Sequence, residues 1–420
     1  MGAMQSSPDL KRKYNMDSKE PICITGIGVG CPLGFDFETV SAALLSGKSG
    51  VSHVRHFDAS NHPSQIAASI GPIPSPNGIS GEVFTKLTAK EKLYLHCASQ
   101  AVEDAGISRE FHRLKTGFIT GAGPEWLLSW EDDFLTGGNN ILLPGRELRP
   151  HEQFAKEHLE IKGPSLQISS ACASGNHTLL LATEWLRNGI VDCCIAGACA
   201  INVTPLTLAS FGNLRALSRR NQDPQKASRP FDKNRDGFVL GEGGALFVLE
   251  TLDSAMRRGA KPHAFIVGGG CTSDAYHPVT PNPDTSKIEE AIHLALEQSN
   301  LKPADIGYIN AHGTSTPLGD ACEARAIKNL LGESSKKIPV SSTKGMTGHL
   351  LAASSAIETV SCIVALKSQM IPPTINLDEP DPECDLFHVP NQSIRHEMNH
   401  VLSNSFGFGG SNSCVVFAKA

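Results

Sequence analysis

The sequence predicts an α/β protein in which layers of strands and helices pack on one another. Short apolar runs with the length of buried strands alternate along the chain with longer stretches that have the periodicity of helices. The 39 Gly and 26 Pro provide many turns between these elements. At 420 residues the chain is long enough for two or three average domains, or for one large α/β unit.

The predicted elements follow in order from the N-terminus. Residues 1–20 are charged and polar, and we expect this segment to be flexible. Residues 90–105 have the pattern of an amphipathic helix that ends at Gly106, and residues 178–186 predict an apolar helix. The apolar runs predict strands at residues 22–30, 116–120, 165–168, 191–200, 245–249, 264–270 and 306–310.

The composition argues against several classes of protein. The net charge of −6 and the lack of a long Lys/Arg run do not suggest a nucleic-acid-binding protein. The sequence contains neither a phosphate-binding GxxxxGK[ST] loop nor a dinucleotide-binding fingerprint. The longest uncharged stretch, residues 193–214, is too polar for a transmembrane helix and is interrupted by Pro205, so we expect no membrane span.

The twelve cysteines and sixteen histidines show neither a disulfide framework nor the spacing of metal ligands. We therefore predict a reducing, cytoplasmic location and no metal. Most cysteines have apolar neighbours, and we interpret them as core residues; examples are Cys23, Cys193, Cys194, Cys199 and Cys362.

Cys172 has different neighbours. It follows the predicted strand 165–168 and a run of small residues, and an apolar helix comes directly after it. We expect its thiol to lie at a helix N-terminus, where free N–H groups and the macrodipole favour a thiolate. A single cysteine is more often a packing residue, so this position does not by itself establish a function.

Two histidines further along the chain give Cys172 a context. His312 lies in the turn Asn-Ala-His-Gly-Thr-Ser-Thr at residues 310–316, and His349 ends the segment Lys-Gly-Met-Thr-Gly-His at residues 344–349. One Cys and two His on special backbone turns form a set of residues suited to nucleophilic catalysis.

These segments resemble the motifs of the elongating, type II β-ketoacyl-acyl-carrier-protein synthases, which have the thiolase-like fold. The family's nucleophile motif, Thr/Ser-Ala-Cys-x-Ser/Thr-Gly, corresponds to residues 170–175. The matches follow the family's order from about residue 22 to the C-terminus, so the resemblance covers nearly the whole chain. The other matching segments are residues 228–232, 235–243, 310–320, 344–350 and 404–412.

The resemblance implies a layered α-β-α-β-α fold built from two similar halves. The first half would span residues 21–260 and supply Cys172. The second would span residues 261–420 and supply His312 and His349, with the active site at the junction of the halves. A homodimer is also usual in the family.

The resemblance implies a decarboxylative condensation in fatty acid biosynthesis. Cys172 would hold an acyl primer, and His312 and His349 would stabilise the enolate that forms when malonyl-acyl-carrier protein loses CO₂. The enolate role requires neutral imidazoles whose Nε2–H groups point at the thioester oxygen. The N–H groups of Cys172 and Phe408 would form the oxyanion hole.

Other residues would support this chemistry. In the family a Lys and a Glu order the active site together, and they correspond to Lys344 and Glu358. A Glu inside an otherwise apolar helix needs such a partner. Thr314 and Thr316 would contact phosphopantetheine; the alternative is ordinary turn chemistry, in which each hydroxyl bonds to its own backbone. Phe406 and Phe408 would line the same passage. No cofactor is implied.

The implied partner is acyl carrier protein, which is acidic, so a net-negative enzyme must meet it with a local basic patch. The predicted patch contains Arg215, Arg219 and Arg220. The alternative is a solvated face with neighbouring structural arginines.

Four other protein classes fit these motifs less well. A thiolase would carry a second catalytic Cys where this chain has residues 408–411, and an initiating condensing enzyme would use one His and an Asn. A chain-length factor, which is a non-elongating partner of another synthase, lacks the nucleophile. A papain-like hydrolase would leave His349 and Lys344 without a role.

The chain departs from the family pattern between residues 121 and 161, where Pro124 and Trp126 replace small or aliphatic residues. In the family this segment lies near the acyl pocket and the dimer interface. We therefore expect a preference for short or unusually shaped primers, because a close-packed interior does not absorb an extra ring. A specialised lipid or polyketide pathway is the alternative to fatty acid elongation.

Overall fold

The structure is a computed structural model that describes residues 20–108, 113–123, 130–131, 133–138 and 150–420. Residues 1–19 of the predicted flexible segment lie outside the described residues, and so do Pro124 and Trp126. The described residues form a mixed α/β structure, as predicted, and ten of their strands belong to one large sheet.

The predicted strands are all present, with ends that differ by a few residues from the expected positions. The strands are β1 (Ile22–Gly30), β2 (Ser52–His53), β3 (Ile66–Ala67), β4 (Thr116–Gly121), β5 (Ser165–Ile168), β6 (Cys193–Ala200), β7 (Gly243–Thr251), β8 (Ala264–Ser273), β9 (Tyr308–Asn310), β10 (Val340–Ser341), β11 (Met370–Ile371), β12 (Ile394–Arg395), β13 (His400–Gly407) and β14 (Ser411–Lys419).

The two predicted helices are also present. The first runs from Ala89 and ends at Gly106, whose φ of 68° is the left-handed conformation that glycine adopts readily. The α-helices are α1 (Phe37–Leu45), α2 (Gly81–Lys86), α3 (Ala89–Ala105), α4 (Gln153–His158), α5 (Ser174–Arg187), α6 (Pro205–Asn213), α7 (Leu252–Arg257), α8 (Ser286–Gln298), α9 (Pro317–Leu331), α10 (Lys344–Thr347) and α11 (Ser354–Ser368). Short 3-10 helices occupy Pro224–Lys226, Pro303–Asp305, Gly332–Lys336, Leu351–Ala353, Pro382–Cys384 and Phe408–Gly410.

The large sheet contains two sets of five strands with the same arrangement. The order is β10-β9-β13-β14-β8 in one set and β1-β7-β6-β4-β5 in the other. Counted outward from the centre, each set places its first strand, then its fifth, fourth, second and third. The sets join where Ile22, Cys23 and Ile24 of β1 pair with Ile266, Phe265 and Ala264 of β8. The internal duplication that the resemblance implied is therefore present in the strand order.

Helices α5 and α11 form the central layer. They pack against each other, and each contacts strands of both five-stranded sets. Helix α3 covers β1, β6 and β7 on the outside, and α8 covers β8 and β14. This is the layered α-β-α-β-α architecture of the thiolase-like fold.

The central helix α11 is apolar enough to resemble a membrane span. The stretch Leu351–Ser368 has a mean hydropathy of 1.3, and by length and composition it is the one such helix found among the described residues. However, 89% of this stretch is buried inside the protein. Its apolar character therefore reflects its position between the two sets of strands.

The crossing of α5 and α11 depends on the absence of a side chain at Gly175. A Cβ atom at this position would lie 2.6 Å from Ser355 Oγ and 2.7 Å from the backbone nitrogen of Ala356. We expect Gly175→Ala to lower the free energy of unfolding by about 1–3 kcal/mol, because the two helices must move apart. The measurement is the midpoint of urea unfolding.

The matched control is Gly81→Ala at the start of α2, where an added Cβ meets nothing within 4 Å. This substitution should leave the stability unchanged or raise it slightly, because Ala is the better helix former. Equal losses in both variants would show that close packing at Gly175 is not the cause.

Candidate functional site

Cys172 lies on a tight turn between β5 and α5. The preceding Ala171 has a φ of 47°, which is unusual for a residue with a side chain. Ser174 Oγ holds the turn by accepting from the Ser170 N–H at 2.9 Å and donating to the Ala171 carbonyl at 2.7 Å. The thiol is thus placed just ahead of α5, as predicted, and it is buried.

His349 contacts the thiol from the second half of the chain. Its Nε2 lies 3.2 Å from Cys172 Sγ. Its Nδ1 accepts a hydrogen bond from the backbone N–H of Leu351 at 3.3 Å and lies 2.7 Å from Ser354 Oγ. Because an N–H group can only donate, Nδ1 carries no proton, and the neutral ring must carry its proton on Nε2.

His312 is held in the same tautomer by Lys344. The Lys344 ammonium lies 3.3 Å from His312 Nδ1 and donates to the His312 carbonyl at 2.5 Å. It also forms a buried ion pair with Glu358, the partner that the sequence predicted. An ammonium facing Nδ1 leaves the proton of a neutral imidazole on Nε2.

Both imidazoles are neutral near neutral pH. Burial lowers the pKa of each ring well below its ordinary value, and the positive charge of Lys344 lowers it further. The two rings meet edge to face with centroids 5.5 Å apart. The structure therefore provides two neutral Nε2–H donors, which is the condition that the enolate role requires.

The expectation of a thiolate at Cys172 is wrong. Burial raises the pKa of the Cys172 thiol to about 11, although the Lys344 charge and the N–H groups of Phe408 and Cys172 act in the opposite direction. A helix N-terminus contributes about 0.3–1 kcal/mol at exposed sites. Loss of water around a buried charge costs several times more, so burial decides the outcome.

The loop after β13 approaches Cys172 closely. The N–H groups of Phe408 and of Cys172 itself both face the sulfur. A Cβ atom at Gly407 would lie 2.9 Å from the Ser170 carbonyl oxygen and 3.0 Å from the Cys172 nitrogen. The glycine therefore permits the approach that two N–H donors around one oxyanion require.

A cavity of about 300 Å³ connects this site to the surface. It is mainly apolar, and the exposed Arg215 is one of its lining residues. Thr314 and Thr316 line it, with their hydroxyl oxygens 2.9 Å apart. The predicted site residues along this cavity are Cys172, Arg215, His312, Thr314, Thr316, His349, Phe406 and Phe408.

The structure separates the three predicted arginines. Arg215 and Arg219 have exposed side chains, but Arg219 does not line the cavity. Arg220 donates to the Asn234 carbonyl at 2.6 Å and lies 3.7 Å from Asp236, so it also fixes a loop.

Sequence reasoning missed two buried carboxylates that hold the His312 turn. Glu323 accepts from the backbone N–H groups of His312 at 2.9 Å and of Gly313 at 2.7 Å. Asp320 accepts from the Ser315 N–H at 3.1 Å. Burial raises the pKa of Glu323 to about 7 and that of Asp320 to about 6. Their position among apolar residues of α9 is the signal that could have identified them.

The three central side chains also have the proximity of metal ligands, since Cys172 Sγ and one nitrogen each of His312 and His349 lie within 4.8 Å of one another. The tautomers argue against this role. A metal ion binds only a ring nitrogen that has a free lone pair, and in both rings Nε2 carries the proton instead. The Lys344 ammonium would also repel a cation.

Comparison with known proteins identifies relatives along most of the chain. The N-terminal domain of β-ketoacyl synthases matches residues 19–255, and the C-terminal domain matches residues 263–378. A 3-oxoacyl-[acyl-carrier-protein] synthase 2 of Coxiella burnetii is 40% identical over 409 residues, which cover 96% of this chain and 99% of that protein.

Two polyketide proteins are similar as well. The tetracenomycin polyketide synthase ketoacyl synthase alpha subunit of Streptomyces glaucescens is 36% identical over 416 residues, with 96% of this chain and 98% of that protein covered. A solved structure of a type II polyketide synthase acyl-carrier protein in complex with its ketosynthase matches with a TM-score of 0.85. That match has 30% identity and covers 96% of this chain and 100% of the other.

The raised pKa of Cys172 predicts how its alkylation depends on pH. We expect the rate with iodoacetamide to rise about tenfold per unit between about pH 7 and about pH 9, because only the thiolate reacts and its fraction grows tenfold per unit below the pKa. Mass spectrometry of the peptide that contains Cys172 measures this rate without interference from other thiols.

Lys344→Met should slow the alkylation at every pH, because it removes a charge that lowers the thiol pKa. Lys287→Met, at a half-exposed lysine on α8, is the control and should have no effect. A rate that is already constant from about pH 7 would mean that the N–H donors outweigh burial.

Proposed function

We propose, because this chain belongs to the β-ketoacyl synthase family, that it condenses an acyl primer with malonyl-acyl-carrier protein to give 3-oxoacyl-acyl-carrier protein and CO₂ in fatty acid biosynthesis. The enzyme is an acyltransferase of the condensing type and needs no cofactor. The observation that carries the proposal is the pair of neutral Nε2–H donors beside Cys172.

In the first step Cys172 takes the acyl group. Its sulfur attacks the carbonyl carbon of the acyl thioester, and the phosphopantetheine thiol leaves with the proton of the Cys172 thiol. The N–H groups of Cys172 and Phe408 stabilise the tetrahedral oxyanion. One thioester replaces another, so the step changes the free energy little.

In the second step the malonyl thioester loses CO₂. The electron pair of the broken carbon–carbon bond becomes an enolate, and the negative oxygen accepts hydrogen bonds from His312 Nε2 and His349 Nε2. Each such donor contributes about 2.7–4 kcal/mol in comparable oxyanion sites. Neutral rings suit this role because they must accept the uncharged thioester carbonyl oxygen before they stabilise the charged enolate oxygen.

In the third step the enolate carbon attacks the acyl carbonyl on Cys172. The tetrahedral intermediate uses the N–H groups of Cys172 and Phe408 again. Its collapse releases the 3-oxoacyl product and the Cys172 thiolate, which takes a proton from water. Lys344 contributes by fixing the His312 tautomer, and Glu358 balances the buried charge of Lys344.

The second candidate is condensation in a specialised lipid or polyketide pathway. The 36% identity to the tetracenomycin ketoacyl synthase alpha subunit favours it, and so does the unusual sequence around Trp126. Acylation of Cys172 by a series of acyl-carrier proteins with short and long acyl groups distinguishes the two pathways.

Acyl carrier protein is the proposed partner. A similar ketosynthase has been solved in complex with such a protein, and here the cavity opens beside the exposed Arg215. The cavity would hold the phosphopantetheine arm, with Thr314 and Thr316 among its lining residues and Phe406 near His312. Arg219 is exposed nearby in sequence and would add to the attraction.

A homodimer, a cytoplasmic location and the division of the chain near Lys261 stay predictions. The dimer has support from β5, which is the last strand of the large sheet and has exposed residues from Ser165 to Gln167. An exposed edge strand is a natural site for pairing with a second copy. The division falls between α7 and β8, where one set of strands ends and the other begins.

The separate tasks of the three residues predict separate phenotypes. Cys172→Ala should abolish acylation and condensation, whereas His312→Ala and His349→Ala should leave acyl transfer to Cys172 largely intact. Each histidine variant should lose malonyl decarboxylation by about 10²–10³-fold, because the enolate loses one donor. Mass spectrometry measures acylation, and CO₂ release measures decarboxylation.

His177→Ala is a control in which a histidine outside the catalytic set is removed from α5. Decarboxylation at a near wild-type rate in a His312→Ala, His349→Ala double variant would refute the enolate role. Acylation on a peptide other than that of Cys172 would refute the nucleophile.

The position of Arg215 predicts an effect on carrier-protein binding. Arg215→Glu should raise KM for carrier-bound substrate by about tenfold or more and leave kcat nearly unchanged, because it places a negative charge opposite an acidic partner. A small thioester analogue should be affected little.

Arg257→Glu on α7 is the matched control, since this arginine is exposed and does not line the cavity. An equal loss with carrier-bound and small substrates would assign a structural role to Arg215.

A further inference from the structure

Three polar side chains, which we call the surface triad, meet where the two sets of strands join. They come from different elements: Asp104 from the last turn of α3, His263 from the residue before β8, and Lys367 from the last turn of α11. The His263 N–H donates to the Ile24 carbonyl of β1 at 2.7 Å, which anchors the histidine beside the junction. None of the three residues lines the catalytic cavity.

The hydrogen bonds of the surface triad set the tautomer of His263. Its Nε2 lies 2.7 Å from Asp104 Oδ2, and its Nδ1 lies 2.9 Å from Lys367 Nζ. A carboxylate can only accept and an ammonium can only donate, so Nε2 carries the proton of the neutral ring and Nδ1 has a free lone pair. The Ile27 N–H donates to the same Asp104 oxygen at 2.8 Å and holds the carboxylate in place.

Phe37 on α1 contacts both the amine and the imidazole. Its ring centroid lies 5.1 Å from Lys367 Nζ and 6.2 Å from the centroid of the His263 ring. The His263 side chain is 15% exposed, whereas Lys367 is an exposed residue. A base that is largely sheltered from water therefore faces an amine that solutes can reach.

The environment of Lys367 differs from that of other lysines in the described part of the chain. The half-exposed Lys287 pairs with Glu290 at 2.6 Å, and a carboxylate stabilises the ammonium form, which cannot attack a carbonyl carbon. Lys344 also faces an imidazole, but it is buried and ion-paired. The neutral imidazole beside Lys367 can take a proton from an attacking nitrogen, and Asp104 stabilises the imidazolium that results.

We propose that Lys367 is a modification site that is acylated by small acyl thioesters, with His263 as the general base and Asp104 as the residue that orients it. The Lys367 ammonium first gives one proton to water. The amine nitrogen then attacks the carbonyl carbon of the thioester, a carbon–nitrogen bond forms, and one of the two remaining protons passes to His263 Nδ1. The carbon–sulfur bond breaks, and the leaving thiolate takes that proton from the imidazolium.

The product is an amide, in which the positive charge of Lys367 is lost. The choice of a thioester as the acyl donor rests on the proposed function, in which the protein works among acyl thioesters. The amine, its base and the carboxylate that orients the base lie together whatever reaction the catalytic site performs.

The test is incubation of the full chain with S-acetyl-N-acetylcysteamine, a small uncharged acetyl thioester, at about pH 8, where exposed lysines are largely protonated. Hydroxylamine then removes acetyl groups from cysteines, including Cys172, and leaves amides in place. Peptide mass spectrometry should find Lys367 acetylated at least about tenfold faster than Lys287, the internal control, because His263 supplies general-base catalysis.

Two variants test the base and its orientation. His263→Gln should lower the acetylation rate of Lys367 about tenfold or more, to the rate of Lys287. Asp104→Asn should lower it as well, because an amide can donate to Nε2 and so reverse the tautomer of the ring. The matched control is Glu103→Gln, which removes the neighbouring exposed carboxylate and should have no effect. A circular dichroism spectrum checks that each variant is folded.

A double variant distinguishes orientation of the ring from a general structural role. In a His263→Gln background, Asp104→Asn should cause no further loss, because Asp104 acts only through the ring. A further loss there, or an equal loss in Glu103→Gln, would overturn the role of Asp104. Equal acetylation rates for Lys367 and Lys287, or an unchanged rate in His263→Gln, would overturn the proposal.

Cys172→Ala separates this result from the proposed function. Its Lys367 should be acetylated as fast as in the unchanged protein, because the thioester reacts directly with the amine. A slower rate would show that the acetyl group passes through the catalytic site and would overturn direct acylation. Failure of the condensation reaction would leave the expected acetylation of Lys367 unaffected.

Discussion

The buried ammonium of Lys344 is the charge on which the rest of the site depends. It fixes the tautomer of His312, contributes to keeping both imidazoles neutral, and moderates the effect of burial on Cys172. A buried charge is tolerated only when it is paired, and Glu358 on the central helix α11 supplies the pair. Leaving one member of such a pair alone costs about 3–5 kcal/mol, so the ion pair and the fold support each other.

Small residues allow the two halves to meet at the nucleophile. Gly175 lets α5 cross α11, and Gly407 lets the loop after β13 reach the turn that carries Cys172. Ser355 and Ser405 then donate to the Cys172 carbonyl at 3.4 Å and 3.0 Å. The position of the sulfur is therefore set by contacts from the second half of the chain as well as by its own turn.

The sequence allowed seven of the described strands, the two predicted helices and the motifs that carry Cys172, His312 and His349 to be identified, because apolar periodicity and turn motifs are local properties. The predicted charge state of Cys172 was wrong, because the prediction considered only its position at a helix N-terminus. Burial is a tertiary effect that this local position does not reveal. Glu323 was missed although the reasoning used for Glu358 applies to it equally.

The repeated strand order also relates the positions of Cys172 and His349, the two residues that are in contact. Cys172 follows the third strand of its half and precedes the central helix α5, and His349 follows the third strand of the other half and precedes the central helix α11. The two residues thus occupy corresponding places in a duplicated unit, and their side chains are in contact. If the two halves were identical, the same side chain would occupy both places, and a thiol would face a thiol or an imidazole would face an imidazole. The two corresponding places instead hold different side chains, a thiol and an imidazole, which lie together in one site.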